Sequence, residues 1–316
     1  MSSREPAARP RVSARPPSEG DRPIDAHVHV WTDDTDAYPF GPHDGLAAPS
    51  RTYAADSLVQ AMNQAEVAQA LAIQPRVYGY DHAHLLSVGT ELKERIRVMP
   101  LINVARPSAC SELESLATHP AVAGFRVIVR TPRLATALLA EPATQVWTRL
   151  AELRLPVGFL IDPPLLPVVK DIAAYRPDLR IVVDHLACID AKSWQGQGPA
   201  LLRLSRRRNV YVKMSALGHL SDLPSPYTDL HEAVIQLLES YGAARLLWGS
   251  DWPHVYGNGT YEDSSRAVVT ALNGASDHEL NLILAGTARS LFAFQQGHPD
   301  NMSASQTTRR EGKWKT

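Results

Sequence analysis

Short apolar runs alternate with amphipathic stretches along most of the chain. Strand-like runs cover 24–30 (IDAHVHV), 67–74 (VAQALAIQ), 96–103 (IRVMPLIN) and 122–130 (VAGFRVIVR). Four more follow at 156–161 (PVGFLI), 180–186 (RIVVDHL), 210–216 (VYVKMSA) and 245–251 (RLLWGSD). Between them, apolar residues recur at helical spacing in 56–65, 144–153, 198–206, 229–240 and 277–286. Strands that each leave room for a helix predict a parallel α/β sheet. In one domain of this length a closed (β/α)8 TIM barrel is the economical arrangement. A doubly wound open sheet is the competing one, but no glycine-rich phosphate loop follows the first strand. The stretch 31–53, rich in Asp, Gly and Pro, is too long for a simple βα loop and predicts an excursion over the barrel mouth.

Composition narrows the partners. A formal net charge of −1 argues against nucleic-acid or membrane-surface binding. Two cysteines, Cys110 and Cys188, make a disulfide framework implausible and predict a reducing, cytoplasmic compartment. No apolar run reaches the length of a membrane span. Residues 1–22 are rich in Pro, Arg and Ser and lack both apolar periodicity and a signal-like apolar stretch, so a disordered leader is expected. The barrel is then expected over 23–296 and a polar, flexible tail over 297–316. Nothing indicates the oligomeric state.

The chemistry of a barrel is built at the carboxyl ends of its strands. In the first strand His27 and His29 are two apart and share one face, which predicts Ile24, Ala26, Val28 and Val30 on the other. Such a pair can bind a metal, polarise a carbonyl or simply be polar filler. Strand four carries Arg126 and Arg130, strand six ends in His185, and strand seven carries Lys213. Strand eight ends in Asp251, with His254 just beyond. A strand-end histidine is commonly a hydrogen-bonded structural residue, and Asp251 could instead cap the following helix. Cations in apolar strands need partners, either protein carboxylates or an anionic ligand. Asp184, adjacent to His185, is expected to point the other way, and Cys188 to be a shielded thiol. The remaining histidines, His84 and His219 among them, are expected on the surface.

Read in order, IDAHVHVW, GFRVIVR, VVDHLA, VYVKMSAL, LLWGSDWPH and AGTARSLF resemble the amidohydrolase superfamily. Within it, the sequence is most similar to the amidohydrolase-related branch that includes sugar-acid lactonases and 2-pyrone-4,6-dicarboxylate lactonase. The resemblance spans about residues 23 to 294. It implies that Asp251 is the general base on water and that His27, His29 and His185 hold a metal or the substrate carbonyl. It also implies that Arg126 and Arg130 grip a substrate carboxylate, that Lys213 adds a second positive point, and that Tyr53 and His254 meet the substrate. The chain departs from the metal-binding members in strand five, PVGFLID, which has no histidine. Asp162 could substitute only if it turned inward.

These readings predict a hydrolase that opens the lactone ring of a small carboxylated substrate. A metal-dependent decarboxylase of an aromatic or muconate-type acid, a lactone isomerase, and a barrel that binds an acid without catalysis are the alternatives. With two ligands from strand one, no strand-five histidine and arginines opposing a cation, the sequence favours no cofactor. One zinc or manganese ion on His27, His29, His185 and Asp251 is the alternative.

Overall fold

Eight β-rich runs become parallel strands: β1 (Ile24–Val28), β2 (Gln69–Ile73), β3 (Ile96–Met99), β4 (Phe125–Val129), β5 (Val157–Ile161), β6 (Ile181–Val183), β7 (Val210–Met214) and β8 (Leu246–Trp248). The structure, a computed structural model, describes residues 22–41 and 49–295. The expected leader (apart from Arg22), the expected tail and the middle of the loop after β1 lie outside the described residues.

Strands β1–β2–β3 and β4–β5–β6–β7–β8 pair in sequence order. Two seams join the groups. Parallel bridges Val98↔Val122 and Leu101↔Arg126 tie β3 to the β4 region, and Val28↔Trp252 ties β1 to the end of β8. At the second seam Asp251 donates its backbone N–H to the His27 carbonyl (2.9 Å) and His29 donates to that of Trp252 (2.7 Å). The result is the expected (β/α)8 barrel. Gly249 makes this seam possible, because a Cβ there would stand 2.9 Å from the Cβ of His27 and 3.0 Å from its backbone nitrogen.

Helices wrap the outside: α1 (Ala55–Gln64), α2 (Ala83–Glu91), α3 (Ala109–Ala117), α4 (Pro132–Ala137), α5 (Ala143–Glu152), α6 (Leu166–Tyr175), α7 (Trp194–Arg203), α8 (Leu217–Leu220), α9 (His231–Tyr241), α10 (Tyr261–Ala271), α11 (Asp277–Asn281) and α12 (Thr287–Leu291). Capping boxes start two of them, Thr260 with Asp263 and Ser276 with Glu279. The expected helix 277–286 is α11 continuing through a wider turn into α12. Its apolar residues Ala285, Ala288, Leu291 and Phe292 plug the barrel against Ile24, Ala26, Leu71, Met99 and Leu247. Among the described residues no helix is long and apolar enough to cross a membrane, and both cysteines are free thiols.

One expectation for β1 fails. Ile24 and Ala26 pack in the same interior cluster as Leu71 and Leu247, whereas Val28 and Val30 belong to the outer core. The pairing with β2 shifts between Asp25 and Val28. Such an irregularity lets the strand change faces, so Ala26 and His27 both end up inside. Buried Asp25 fixes this turn by accepting from the backbone N–H groups of His27 (3.0 Å) and Ser250 (2.9 Å) and from the Tyr261 hydroxyl (2.7 Å).

Candidate active site

At the carboxyl ends of the strands, His27 Nε2 and His29 Nε2 lie 3.2 Å apart. Each is 3.6 Å from Asp251 Oδ1. Asp251 reaches them because its backbone takes a left-handed turn (φ 62°) immediately after β8, a conformation that aspartate tolerates better than most residues. His29 Nδ1 lies 2.9 Å from the Ile73 carbonyl. Since a carbonyl only accepts, Nδ1 carries the proton and Nε2 presents its lone pair to the site. His185 completes the group. Its ring centroid is 4.3 Å from that of His27, its Nδ1 is 2.8 Å from Ser215 Oγ, and its Nε2 is 4.0 Å from Asp251 Oδ1.

Beneath them runs an ion network that the strand periodicity misassigned. Asp184 was expected to face outward. Instead it is fully buried inside, its Oδ2 2.8 Å from Arg126 Nε and its Oδ1 3.1 Å from Lys213 Nζ and 3.6 Å from His27 Nδ1. Val182 already faces the interior, so two-residue alternation carries Asp184 inward as well. It is His185 that breaks the alternation: residues 185–188 all have positive φ, and that turn swings His185 back over the site. The signal was present, because Arg126 and Lys213 in apolar strands require a carboxylate. Replacing Asp184 with Asn would leave two buried cations without their counter-charge. We expect a loss of about 3–5 kcal/mol in unfolding free energy, read by urea titration; a loss under about 1 kcal/mol would show that the network relaxes or takes up an anion instead.

These partners change two expected roles. Lys213 is fully buried and lies 5.8 Å from the centroid of the Phe292 ring, under the site rather than on the cavity wall. Its charge acts through Asp184 and His27, not by direct contact with a substrate. Arg126 lines the cavity but has committed Nε to Asp184, leaving Nη2 3.5 Å from His185 Nε2. Arg130 lies beyond β4, partly exposed and ion-paired with Asp162. That pairing keeps Asp162 out of any metal site.

A cavity of about 820 Å³ opens above this floor. Its lining includes His29, Arg126, His185 and Asp251 below, with Tyr53, His254 and Arg130 higher up. Tyr53 stands edge-on to Trp31 and Trp252, and His254 edge-on to His29. Three basic lining residues escaped the sequence reading: Arg51 and Arg76 in loops, and His219, which was expected on the surface. His84, also expected there, is buried against Tyr38 and Tyr78.

Burial sets the charge states. It pushes the Asp251 carboxyl up to about 8, despite the pull of Arg126. It holds His185 down to about 3 and His27 and His29 well below the usual imidazole range, so the three rings are neutral at physiological pH. Burial opposes ionisation of Asp184 too, but Lys213 and Arg126 outweigh it and hold that carboxyl well below its ordinary range.

Among the described residues, two groups converge closely enough to hold a metal ion: His27 with Asp184 and His185, and His27 with His29 and Asp251. In the first group Asp184 is already engaged by two cations. The second fits an ion. Tetrahedral zinc with bonds of about 2.0–2.2 Å spaces its donors roughly 3.3–3.6 Å apart, matching the 3.2, 3.6 and 3.6 Å observed. Asp251 Oδ1 is buried without a hydrogen-bond partner, which is costly unless something else satisfies it.

The family model described as "Amidohydrolase" matches residues 24–294. Among curated proteins, L-fucono-1,5-lactonase of Burkholderia ambifaria is 28% identical over 245 residues, 73% of this chain and 80% of the relative. The 4-sulfomuconolactone hydrolase of Rhizobium radiobacter is 26% identical over 235 residues, 73% of this chain and 75% of that one. Among solved structures, the probable 2-pyrone-4,6-dicarboxylic acid hydrolase of Acinetobacter baumannii with citric acid bound superposes with a TM-score of 0.73 at 21% identity, covering 86% of this chain and 100% of that one. An amidohydrolase of Burkholderia multivorans with bound zinc gives 0.73 at 21% identity, covering 86% and 99%. Both structural likenesses bear on the fold.

Proposed function

This chain belongs to the amidohydrolase family, and we propose from that membership and the geometry of its site that it hydrolyses the ring ester of a small carboxylated lactone. The observation that carries the reading is the meeting of Asp251, His27 and His29 with Arg126 and His185 on the floor of one cavity. The two curated relatives, named for lactone hydrolysis, support the choice of reaction. Arg51 and Arg76, lining arginines without an ion-pair partner among the described residues, favour an anionic substrate.

His27, His29 and Asp251 suit one divalent ion. The sequence argument against it relied in part on the arginines opposing a cation, but Arg126 is neutralised by Asp184 and Arg130 by Asp162. When bound, such an ion supplies positive charge that makes a nearby water more acidic and polarises an ester carbonyl. A carboxyl pushed up to about 8 holds its proton at neutral pH; a cation beside it restores the carboxylate that a base needs.

Asp251 then accepts the proton of the attacking water. Arg126 Nη2 lies 3.5 Å from His185 Nε2, and because a guanidinium only donates, that nitrogen accepts and the His185 proton sits on Nδ1 toward Ser215 Oγ. Arg126, which lines the cavity, supplies the positive charge that stabilises the oxygen where charge grows. Protonated Asp251 returns its proton to the departing ring alkoxide. Tyr53 and His254 fix the ring from the cavity wall.

A panel of carboxylated lactones, scored by acid release from the purified enzyme, tests the reading. Hydrolysis of at least one is expected. Carbon dioxide release from aromatic acids, without opening of any lactone, would sink it in favour of the decarboxylase.

A further inference from the structure

The positive groups on the floor of the site are committed to a shared partner. Two cations, Arg126 and Lys213, both pair with the buried Asp184, and the three histidines are neutral. Arg126 was expected to take the substrate carboxylate, but Asp184 already holds its Nε. Higher up the balance differs. Arg130 is offset by Asp162, whereas Arg51 and Arg76 line the same cavity with no ion-pair partner among the described residues. Among the described residues these two are therefore the guanidinium groups left to take an anion higher in the cavity.

Their backbones are held in place. The Trp31 indole donates to the Arg51 carbonyl (2.6 Å), and Trp31 pairs in an antiparallel bridge with Tyr53, two residues beyond Arg51. Arg76 begins the short turn Arg76–Tyr78 after β2, and the Tyr78 hydroxyl accepts from the Thr32 backbone N–H (3.0 Å). Two separate segments, each pinned to the start of the loop after β1, thus bring to one cavity two guanidinium groups with no ion-pair partner among the described residues. A carboxylate or sulfonate held there can take paired N–H donors. The cavity, at about 820 Å³, is roomy for a single lactone ring and leaves space for a substituent that extends outward.

We infer that the substrate carries an anionic group on the part of the molecule remote from the reacting ester, and that Arg51 and Arg76 are the residues that select it. This inference rests on the hydrolase reading only for what happens at the floor. Its test is a binding measurement, so the two can fail separately.

The probes are the linear dicarboxylates from glutarate to suberate and the monocarboxylate of matching length, titrated calorimetrically into the full chain. One carboxylate stands for the acid that ring opening leaves at the floor; the other reaches Arg51 and Arg76. At low salt the best dicarboxylate is expected to bind about tenfold tighter than its monocarboxylate partner, and added salt should erode that margin. The double variant R51Q/R76Q should abolish the margin without weakening the monocarboxylate, and R51K/R76K should keep much of it. An undiminished margin in R51Q/R76Q, or no margin at any chain length in the natural enzyme, overturns the inference. If the margin is found but no lactone is opened, the hydrolase reading falls and the selectivity of Arg51 and Arg76 stands.

Discussion

An Asp251→Asn enzyme is expected to fold normally and to lose at least ~10²-fold in kcat, the usual scale for a general base. Asparagine has nearly the same shape but cannot accept a proton. It also tolerates the left-handed backbone required at this position, where φ is 62°. The seam hydrogen bond from the residue 251 N–H to the His27 carbonyl (2.9 Å) uses backbone atoms and survives the change. Stability is therefore decoupled from chemistry here, as it is not at Asp184. Because Asp251 Oδ1 stands beside both Nε2 atoms, the measurement belongs at saturating zinc or manganese with bound metal quantified, so that lost affinity is not mistaken for lost base. A folded, metal-loaded variant turning over near the wild-type rate would remove Asp251 from the role of base.

Most of the barrel could be read from the chain, since every strand run contains the strand it predicted and only its ends fray. That follows from physics: a strand buried on both faces must be apolar along its length, and such runs stand out against amphipathic helices. The same two-residue alternation located the site residues but failed where the backbone left the extended region. At β1 the shifted pairing turned Ala26 and His27 to the same side. After β6, four successive residues with positive φ brought His185 round to join Asp184. Neither departure involves a glycine or proline at the turning residue, so local composition held no signal for it. Arg51 and Arg76 were missed for a different reason: loop residues have no periodicity, and only the folded chain shows which of them share a wall.

Exhaustive chelation is expected to abolish turnover, and added zinc or manganese to restore it, with about one ion per chain in the active protein. The sequence alone favours the opposite result, and the geometry explains the reversal. Strand five contributes no ligand, yet three donors suffice when they are correctly spaced and one position is left for water. Donor separations of 3.2, 3.6 and 3.6 Å meet the spacing requirement. The Ile73 carbonyl fixes the His29 tautomer that presents a lone pair at Nε2. At His27 the fit demands more. Its Nδ1 must carry the proton, for which Asp184 Oδ1 at 3.6 Å is the available acceptor while Lys213 Nζ stands at 3.4 Å. For the neutral His27 this is only a change of tautomer. The proton that loading releases comes from the Asp251 carboxyl, pushed up to about 8, and calorimetry of zinc binding in two buffers of different ionisation enthalpy would detect it. Full activity in protein shown by elemental analysis to hold no metal would return His27 and His29 to direct hydrogen bonding of the ester carbonyl. Activity that disappears with the ion and returns with it assigns the pair to the metal, and the released proton assigns Asp251 beside them.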